Sequence, residues 1–284
     1  MPKTFDLTLD QLDEFERRGV VRLREFYRKA DIDLMADRLW ADLEDRYGMR
    51  RDRPESWTVA SPAGFQALKR SGAFGGMGSP ELFDLADALL GAGGWHKPAH
   101  WGGPLVTFPT AVPSLLRPPW HLDIGGAERL SPLPTLRVFT FLEPAPPHGG
   151  GTLYVAGSHR LAMEVECAHG SPVRSAQVRD RLKAEHPWFA SLLTAPMGDL
   201  RALINIEARV GSHPVRLEEM TGAPGDLIVM HPAILHGAAH NSLDRPRIML
   251  TEWIPRRDSA AEDPAPSAGS PASSPPGRRG RRSP

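Results

Sequence analysis

The sequence contains almost no cysteine and no long apolar run. One cysteine, Cys167, among 284 residues excludes an intramolecular disulfide and fits a reducing compartment. No window approaches the roughly 18 consecutive apolar residues of a membrane span. The opening segment also lacks the apolar stretch of a secretion signal. We therefore expect a soluble, unexported protein of the cytoplasm with no membrane partner.

The sequence also lacks an excess of either charge. It carries 34 basic and 34 acidic residues, so no overall field draws it to nucleic acid. The balance is uneven, because residues 257–284 hold five arginines against three acids and leave a net charge of −2 on residues 1–256. A hydrophobic content of 40% is ordinary for a globular domain with a full core. No basic patch in residues 1–256 stands out as a coenzyme A or nucleic-acid site, so a small-molecule or carrier-tethered substrate is preferred.

The N-terminal part, about residues 6–95, is predicted to be largely helical. Apolar residues recur at helical spacing in three segments. Thr8 opens a capping box for the first helix, the second helix runs from about Asp31, and Ser79-Pro80-Glu81 is a good start for the third. The stop signals lie at Gly19 and Gly48, and a short strand is predicted at Val20–Leu23.

From about residue 104 to residue 256 the pattern changes to short strands. The strands are predicted at Leu105–Phe108, Leu136–Leu142, Thr152–Ala156, Ala202–Ile206, Asp226–His231 and Arg247–Ile254. Short strands without regular helices between them predict an antiparallel sandwich or barrel. Residues 174–195 are predicted to insert a helix with Val178, Leu182 and Phe189 as its apolar stripe. The fold class is therefore mainly β with flanking α-helices.

The last segment, residues 257–284, consists of Ser, Pro, Ala, Gly and charged residues. It contains six prolines and no large apolar residue, so it cannot bury enough surface to offset the entropy of ordering. We predict a disordered tail after a single domain over residues 1–256.

Two metal-ligand residue types lie one residue apart in Trp120-His121-Leu122-Asp123. Alternate side chains of a strand share a face, so His121 and Asp123 would point the same way. A His-x-Asp pair by itself also fits a structural pair at a strand end. A further ligand has to come from elsewhere in the chain.

The completing ligand is predicted to be His236, which follows an apolar strand and precedes a glycine. Two histidines and one carboxylate leave coordination positions open, which is typical of Fe(II) sites that bind a chelating co-substrate and O2. Structural zinc usually takes four protein ligands. His231 and His240 are rival ligands, although His231 should face the opposite side of the strand and His240 lies in a predicted turn.

An arginine eleven residues beyond His236, Arg247, opens the last predicted strand. A guanidinium group binds carboxylates through two parallel hydrogen bonds, so Arg247 is a candidate clamp for a dicarboxylic co-substrate. Arg245 competes for this role but precedes a proline in the turn. Thr107 is a candidate second contact to the co-substrate, and the alternative is a cross-strand pair.

These residues resemble the phytanoyl-CoA dioxygenase family of 2-oxoglutarate oxygenases. The segment PHGGGTLYVAGSHR, residues 147–160, is similar to the family's Gly-rich turn, strand and Gly-Ser-His motif. The opening LTLDQLDEFERRGVVRLREF is similar to the family's first helix and strand. The resemblance covers about residues 6–256, and four motifs in the right order make it fairly specific.

The resemblance implies a double-stranded β-helix, or jelly-roll, core. It also implies that His121, Asp123 and His236 bind Fe(II), that Arg247 binds 2-oxoglutarate, and that O2 is the oxidant. Where the family often has a tryptophan eighteen residues after the first ligand, this chain has Phe139, which is placed beside the co-substrate.

Three further histidines have alternative interpretations. His159 is expected to cap a loop rather than to bind metal. His96 and His100 lie on a Pro- and Gly-rich loop ahead of the strands, where a substrate-facing role is open.

The sequence thus predicts a dioxygenase that uses Fe(II) and 2-oxoglutarate and hydroxylates its substrate by default. Two alternatives remain at this point. One is a cupin-type metalloenzyme that does not use 2-oxoglutarate, and the other is a non-catalytic β-sandwich binding protein.

Overall fold

A computed structural model describes residues 5–109 and 118–258, and in these ranges the chain forms two facing antiparallel sheets with helices outside each. The strands are β1 Val20–Leu23, β2 Gly103–Thr107, β3 Thr135–Phe141, β4 Leu153–Ala156, β5 Glu207–Val210, β6 His213–Glu219, β7 Leu227–Met230, β8 His236–Gly237 and β9 Arg247–Pro255. The helices are α1 Leu9–Arg18, α2 Lys29–Tyr47, α3 Gln66–Arg70, α4 Pro80–Leu90, α5 Ser158–His169, α6 Ser175–Glu185, α7 Pro187–Thr194 and α8 Met197–Leu200.

The sheet order is that of a jelly roll. The major sheet runs β1-β7-β3-β9-β2 and the minor sheet runs β5-β6-β4-β8, with every neighbouring pair antiparallel. Successive strands such as β3 and β4 lie in different sheets, so the chain passes back and forth between them. This arrangement confirms the predicted fold class, mainly β with flanking helices.

Strand alternation divides the core into three layers. On β3, Phe139 and Phe141 point into the space between the sheets, whereas Leu136 and Val138 point outward. The outward face of the major sheet packs against α2 and α4, and the outward face of the minor sheet packs against α5, α6 and α7. The alternating apolar pattern thus gives each sheet two buried faces.

The N-terminal signals are confirmed. The Thr8 hydroxyl accepts from the Gln11 backbone N–H at 3.2 Å, and the Gln11 side chain accepts from the Thr8 N–H at 2.9 Å, which completes the capping box. Gly19 ends α1 with φ +71°, and a Cβ there would lie 2.5 Å from His159 Nδ1. β1 then pairs with β7, so the N-terminal part adds a strand to the jelly roll.

Two predictions in the second half of the chain need correction, and one helix there was not predicted. The predicted strand Ala202–Ile206 is wrong, because residues 201–203 form a 3-10 turn and Ile204 makes only an isolated bridge to Leu217. The strands lie just beyond, in the β5–β6 hairpin, where the exposed Glu207 and Arg209 conceal the apolar pattern.

The predicted helix over residues 174–195 is two helices, α6 and α7, because Pro187 holds His186 in an extended conformation between them. Val178, Leu182 and Phe189 are buried in the minor-sheet core as predicted. The sequence analysis missed α5, which begins directly after the left-handed Gly157 with φ +86°.

None of the helices in the described ranges has the length and apolar character needed to cross a membrane. The predicted tail lies outside the described residues from residue 259 onward.

Candidate metal centre

Two histidines and one aspartate lie together beside β8, the edge strand of the minor sheet. His121 and His236 form an isolated antiparallel bridge in which each backbone N–H donates to the other's carbonyl oxygen at 2.9 Å. The backbone N–H of Asp123 donates to Pro232 O at 2.9 Å. One potential ligand atom from each of the three side chains lies within 4.8 Å of the other two. The structure therefore brings together the three residues predicted as metal ligands.

Hydrogen bonds fix both histidine rings. His121 Nδ1 lies 2.7 Å from Pro119 O, and His236 Nδ1 lies 3.0 Å from Ile234 O. Since a carbonyl oxygen only accepts, each Nδ1–H donates, and Nε2 is the nitrogen that carries the lone pair whenever the ring is neutral. The two Nε2 atoms face the Asp123 carboxylate, each 3.5 Å from one of its oxygens. A hydrogen bond from Nδ1 to a backbone carbonyl, which fixes the tautomer and the orientation of the ring, is typical of metal-binding histidines.

The protonation states suit a divalent cation. Burial alone would raise the pKa of Asp123, but the charge of Arg137 and then the two histidines hold it well below its usual range. Burial lowers the pKa of His236 to about 4. Burial also opposes protonation of His121, yet its hydrogen bond and charge interaction with Asp123 raise its pKa overall. The centre therefore offers an ionised carboxylate and at least one neutral imidazole, which are the forms that bind metal.

The Gly-Ser-His segment positions His236 by binding the backbone of the preceding residue, Leu235. The Ser158 hydroxyl accepts from the buried Leu235 N–H at 2.9 Å, and the Val155 N–H donates to Leu235 O at 2.9 Å. On β4, Tyr154 is the register partner of His236. The residue before the candidate ligand is thus fixed on both sides.

Gly237, next to His236, has a packing role. A Cβ at this position would lie 3.0 Å from Pro118 Cβ and 3.4 Å from the Pro119 backbone. A glycine here lets the segment that leads into His121 approach β8 closely.

Arg247 is a buried arginine without an ion-pair partner in residues 5–109 and 118–258. Its side chain lies between the sheets at 7% exposure, and its Nη2 donates to the hydroxyl of its register partner Thr107 at 2.6 Å. Its Nη1 lies 3.7 Å from Met249 Sδ, and its Nε has no hydrogen-bond partner within the described chain. Burial lowers the pKa of Arg247 to about 10 against the opposing charge of Glu219, so the guanidinium remains charged at neutral pH.

Thr107 and Phe139 were predicted as co-substrate contacts. The Thr107 hydroxyl accepts a hydrogen bond from Arg247, so it orients the guanidinium that is predicted to bind the co-substrate. Phe139 is 2% exposed on the inner face of β3, in one apolar cluster with Met249.

The sequence analysis did not single out Arg137, whose positive charge lies directly beside Asp123 of the triad. Its Nε is 2.8 Å from Asp123 Oδ2, and its guanidinium lies over the rings of Trp253 at 4.6 Å and Phe139 at 5.3 Å. One sequence signal could have identified it. Arg137 is a charged residue two positions before Phe139, so it falls on the same inward face of an otherwise apolar strand.

The rival histidines lie outside the cluster. His231 is buried, with its ring 5.1 Å from that of His159 and 6.4 Å from that of Phe15. His159 Nε2 donates to Glu16 O at 3.1 Å and so attaches α1 to the jelly roll instead of capping a loop. His240 is half-buried, and burial lowers its pKa.

The remaining candidates are at the surface. The Arg245 side chain is 57% exposed, with Asp244 at 3.7 Å. His96 and His100 are exposed, and His96 is attached to the end of β9 only through its backbone N–H, which donates to Pro255 O at 2.8 Å. Neither histidine joins the described metal-ligand cluster.

A separate cleft of about 620 Å³ opens between β1 and the minor sheet, and none of the triad residues lines it. Two of its arginines already have carboxylate partners, Arg18 with Glu218 and Arg22 with Asp226.

Comparisons with known proteins agree with this geometry. A model of the phytanoyl-CoA dioxygenase family matches residues 15–249. No curated protein sequence matches the chain.

Several solved structures share the fold. One is SnoK, a non-haem α-ketoglutarate-dependent carbocyclase from nogalamycin biosynthesis, with 18% identity over 91% of this chain and 88% of that chain and a TM-score of 0.52. EctD from S. alaskensis with 2-oxoglutarate and 5-hydroxyectoine has 17% identity over 90% of this chain and 78% of that chain, with a TM-score of 0.53. HygX from Streptomyces hygroscopicus with nickel and 2-oxoglutarate bound has 16% identity over 89% of this chain and 88% of that chain, with a TM-score of 0.50.

Proposed function

The chain belongs to the phytanoyl-CoA dioxygenase family, whose members are 2-oxoglutarate-dependent non-haem iron oxygenases, and we propose that it hydroxylates a small-molecule substrate with His121, Asp123 and His236 as its iron ligands. Arg247 is proposed to bind the far carboxylate of 2-oxoglutarate. The observation that carries the proposal is the convergence of the three side chains on one point, with both Nε2 lone pairs turned toward the carboxylate.

The donor set fits Fe(II). It combines two imidazoles with one carboxylate and contains no thiolate, which leaves coordination positions for a chelating co-substrate and O2. Asp123 Oδ2 is buried and has no hydrogen bond of good geometry within the described chain, so the carboxylate is not fully satisfied by protein groups. A cation at this point would satisfy it. Asp123 also separates this chain from halogenases of similar design, which replace the carboxylate with a small residue to admit halide.

Arg247 fits a dicarboxylic co-substrate. A buried guanidinium without a carboxylate partner carries a desolvation cost that an incoming carboxylate relieves. Phe139 and Met249 exclude water from this part of the barrel, which strengthens such an ion pair. Thr107 keeps one guanidinium edge fixed.

When bound, Fe(II) and 2-oxoglutarate supply the oxidation of a substrate C–H bond by O2, with release of succinate and CO2. The chain's own residues would hold the metal and orient the co-substrate. His121 and His236 present fixed Nε2 atoms, Asp123 supplies one negative charge, and Arg247 holds the end of the co-substrate away from the metal. Burial of Asp123 and His236 keeps bulk water from competing for the same positions.

The substrate is proposed to be a small molecule, free or attached to a carrier. This is supported by relatives of the same fold whose descriptions name small molecules, such as 5-hydroxyectoine for EctD. Within the described residues the metal centre opens to solvent beside His121, whose side chain is 44% exposed.

The proposal is tested by Fe(II) binding and by formation of succinate from 2-oxoglutarate in the presence of ascorbate. The wild-type chain should bind one Fe(II) and form succinate even without its substrate. His236→Ala should lose both properties, whereas His240→Ala, a matched half-buried histidine outside the cluster, should keep both. Unchanged iron affinity in His236→Ala would show that the ligand assignment is wrong. Iron binding without 2-oxoglutarate binding would favour a cupin-type metalloenzyme.

A further inference from the structure

Arg137 is a largely buried arginine that the proposed function leaves unexplained. Its side chain is 13% exposed and projects from the inner face of β3, where its register partners are Trp253 on β9 and Met230 on β7. An arginine on this face displaces an apolar residue from a sheet core, which is costly unless its charge and its N–H groups are used.

Only part of the guanidinium is used by the protein. An arginine has five N–H donors. In residues 5–109 and 118–258 the charge partner of Arg137 is Asp123, whose Oδ2 lies 2.8 Å from Nε in an ion pair without good hydrogen-bond geometry. Its Nη atoms have no hydrogen-bond partner there. The rings of Trp253 and Phe139 hold the guanidinium plane at 4.6 Å and 5.3 Å, so the direction of the free Nη edge is fixed before any ligand arrives.

The metal centre is open to solvent beside two of its residues. His121 has a 44% exposed side chain, and Trp253, which lies against the Arg137 guanidinium, is only half-buried. Phe139 and Arg247 are more deeply buried, at 2% and 7% exposure. A molecule from solvent can therefore approach Arg137 along the side of His121 and Trp253.

The local charges favour an anion at this point. Asp123 and Arg137 cancel each other, Fe(II) would add two positive charges, and the metal-binding carboxylate of 2-oxoglutarate would remove one. One positive charge then remains at the metal end of the barrel, while the far carboxylate of 2-oxoglutarate pairs with Arg247.

We propose that the free edge of Arg137 binds a carboxylate group of the primary substrate and holds that substrate beside the metal. The inference rests on the proposed function and adds a chemical class, small molecules with a carboxylate close to the carbon that is oxidised. Through its Nε, the same residue also holds one oxygen of Asp123.

The test uses the full chain saturated with Mn(II) and 2-oxoglutarate, and a set of small carboxylic acids that are each paired with the corresponding primary amide. Benzoate with benzamide, phenylacetate with phenylacetamide and hexanoate with hexanamide are suitable probes. Relaxation of the probe protons by Mn(II) measures both binding and closeness to the metal. Wild-type protein should bind the acids about tenfold or more tightly than the amides, as expected for a charge-assisted hydrogen bond.

Arg137→Gln should lose this acid preference, so that the ratio of acid to amide affinity falls to about one, and Arg137→Lys should restore part of it. Arg245→Gln, an exposed arginine, serves as the matched control and should behave as wild type. A purely structural role for Arg137 would not change the ratio of acid to amide affinity.

The proposal is overturned if no acid exceeds its amide on the wild-type protein, or if the preference survives in Arg137→Gln. It is also overturned if Arg137→Gln weakens acid and amide binding equally, because the arginine would then shape the site without recognising the carboxylate. Failure of the wild-type chain to bind Mn(II) and 2-oxoglutarate at all would instead contradict the proposed function.

Discussion

Replacing Arg247 by alanine tests the co-substrate assignment most directly, because the side chain is buried and its neighbours are known. Burial lowers the pKa of Arg247 to about 10, between two and three units below the ordinary value of an arginine. At about 1.4 kcal/mol per pKa unit, this corresponds to roughly 3 kcal/mol by which the site disfavours the charged form. A carboxylate that pairs with the guanidinium recovers part of that penalty and adds two charge-assisted hydrogen bonds.

We therefore expect Arg247 to contribute about 2–4 kcal/mol to 2-oxoglutarate affinity. At about 1.4 kcal/mol per factor of ten, Arg247→Ala should weaken binding by roughly thirty- to several-hundred-fold. Arg247→Lys should recover only part of the loss, since an ammonium group lacks the planar fork. Calorimetric titration of 2-oxoglutarate into Mn(II)-loaded protein measures the effect, and Mn(II) affinity itself should barely change.

A second measurement at Arg247 concerns the stability of the ligand-free protein, which the substitution should increase. Without co-substrate the charge of Arg247 has no carboxylate partner in the described ranges, so Arg247→Met should raise the melting temperature of the ligand-free protein. Wild-type protein should overtake the variant once 2-oxoglutarate is added, because the ligand stabilises only the chain that binds it.

Arg245→Ala is the control, since its side chain is 57% exposed. Normal 2-oxoglutarate binding in Arg247→Ala together with weak binding in Arg245→Ala would mean that the eleven-residue spacing identified the wrong arginine. Normal binding in both variants would refute a 2-oxoglutarate site of this design.

Three further predictions follow from the structure. Gly237→Ala should weaken Fe(II) binding about tenfold, measured by titration, because its Cβ would lie 3.0 Å from Pro118 and move the segment before His121. Burial lowers the pKa of His159 to about 4, so its neutral form is favoured in the folded state; its contribution to stability is complete above its ordinary pKa of 6.5 and is lost as the pH falls. Between pH 7 and pH 5 this loss is about 2 kcal/mol, and chemical denaturation at both pH values should show a smaller decrease for His159→Gln than for wild type. Deleting residues 259–284 should leave the melting temperature and succinate formation unchanged, and a fall of several degrees would contradict a tail that makes no contacts.

Much of the local structure could be predicted because its causes are local. The Thr8 capping box, the left-handed Gly19 and the proline after Ser79 act within one helical turn, so their effects are readable from neighbouring residues. The same holds for apolar strands such as β3 and β7, whose buried faces follow from period-two alternation. Where alternation is weak, as in the exposed β5, the prediction failed.

The sequence by itself also predicted the three residues of the proposed donor set. A His-x-Asp pair on an extended segment has to present both side chains on one face, and a histidine at the end of an apolar strand supplies the completing type of ligand. The spacing of eleven residues from His236 to Arg247 is likewise a property of the chain.

Only the tertiary structure decided which of these groups meet and what surrounds them. The bridge between His121 and His236 joins positions that are far apart in sequence, and sheet pairing alone brings Thr107 to Arg247. Arg137 beside Asp123 could not be predicted, because a charged residue in a strand is normally solvated and its partner depends on how a separate segment crosses the barrel. Long-range pairing arises from the packing of two whole sheets, and no local pattern encodes it.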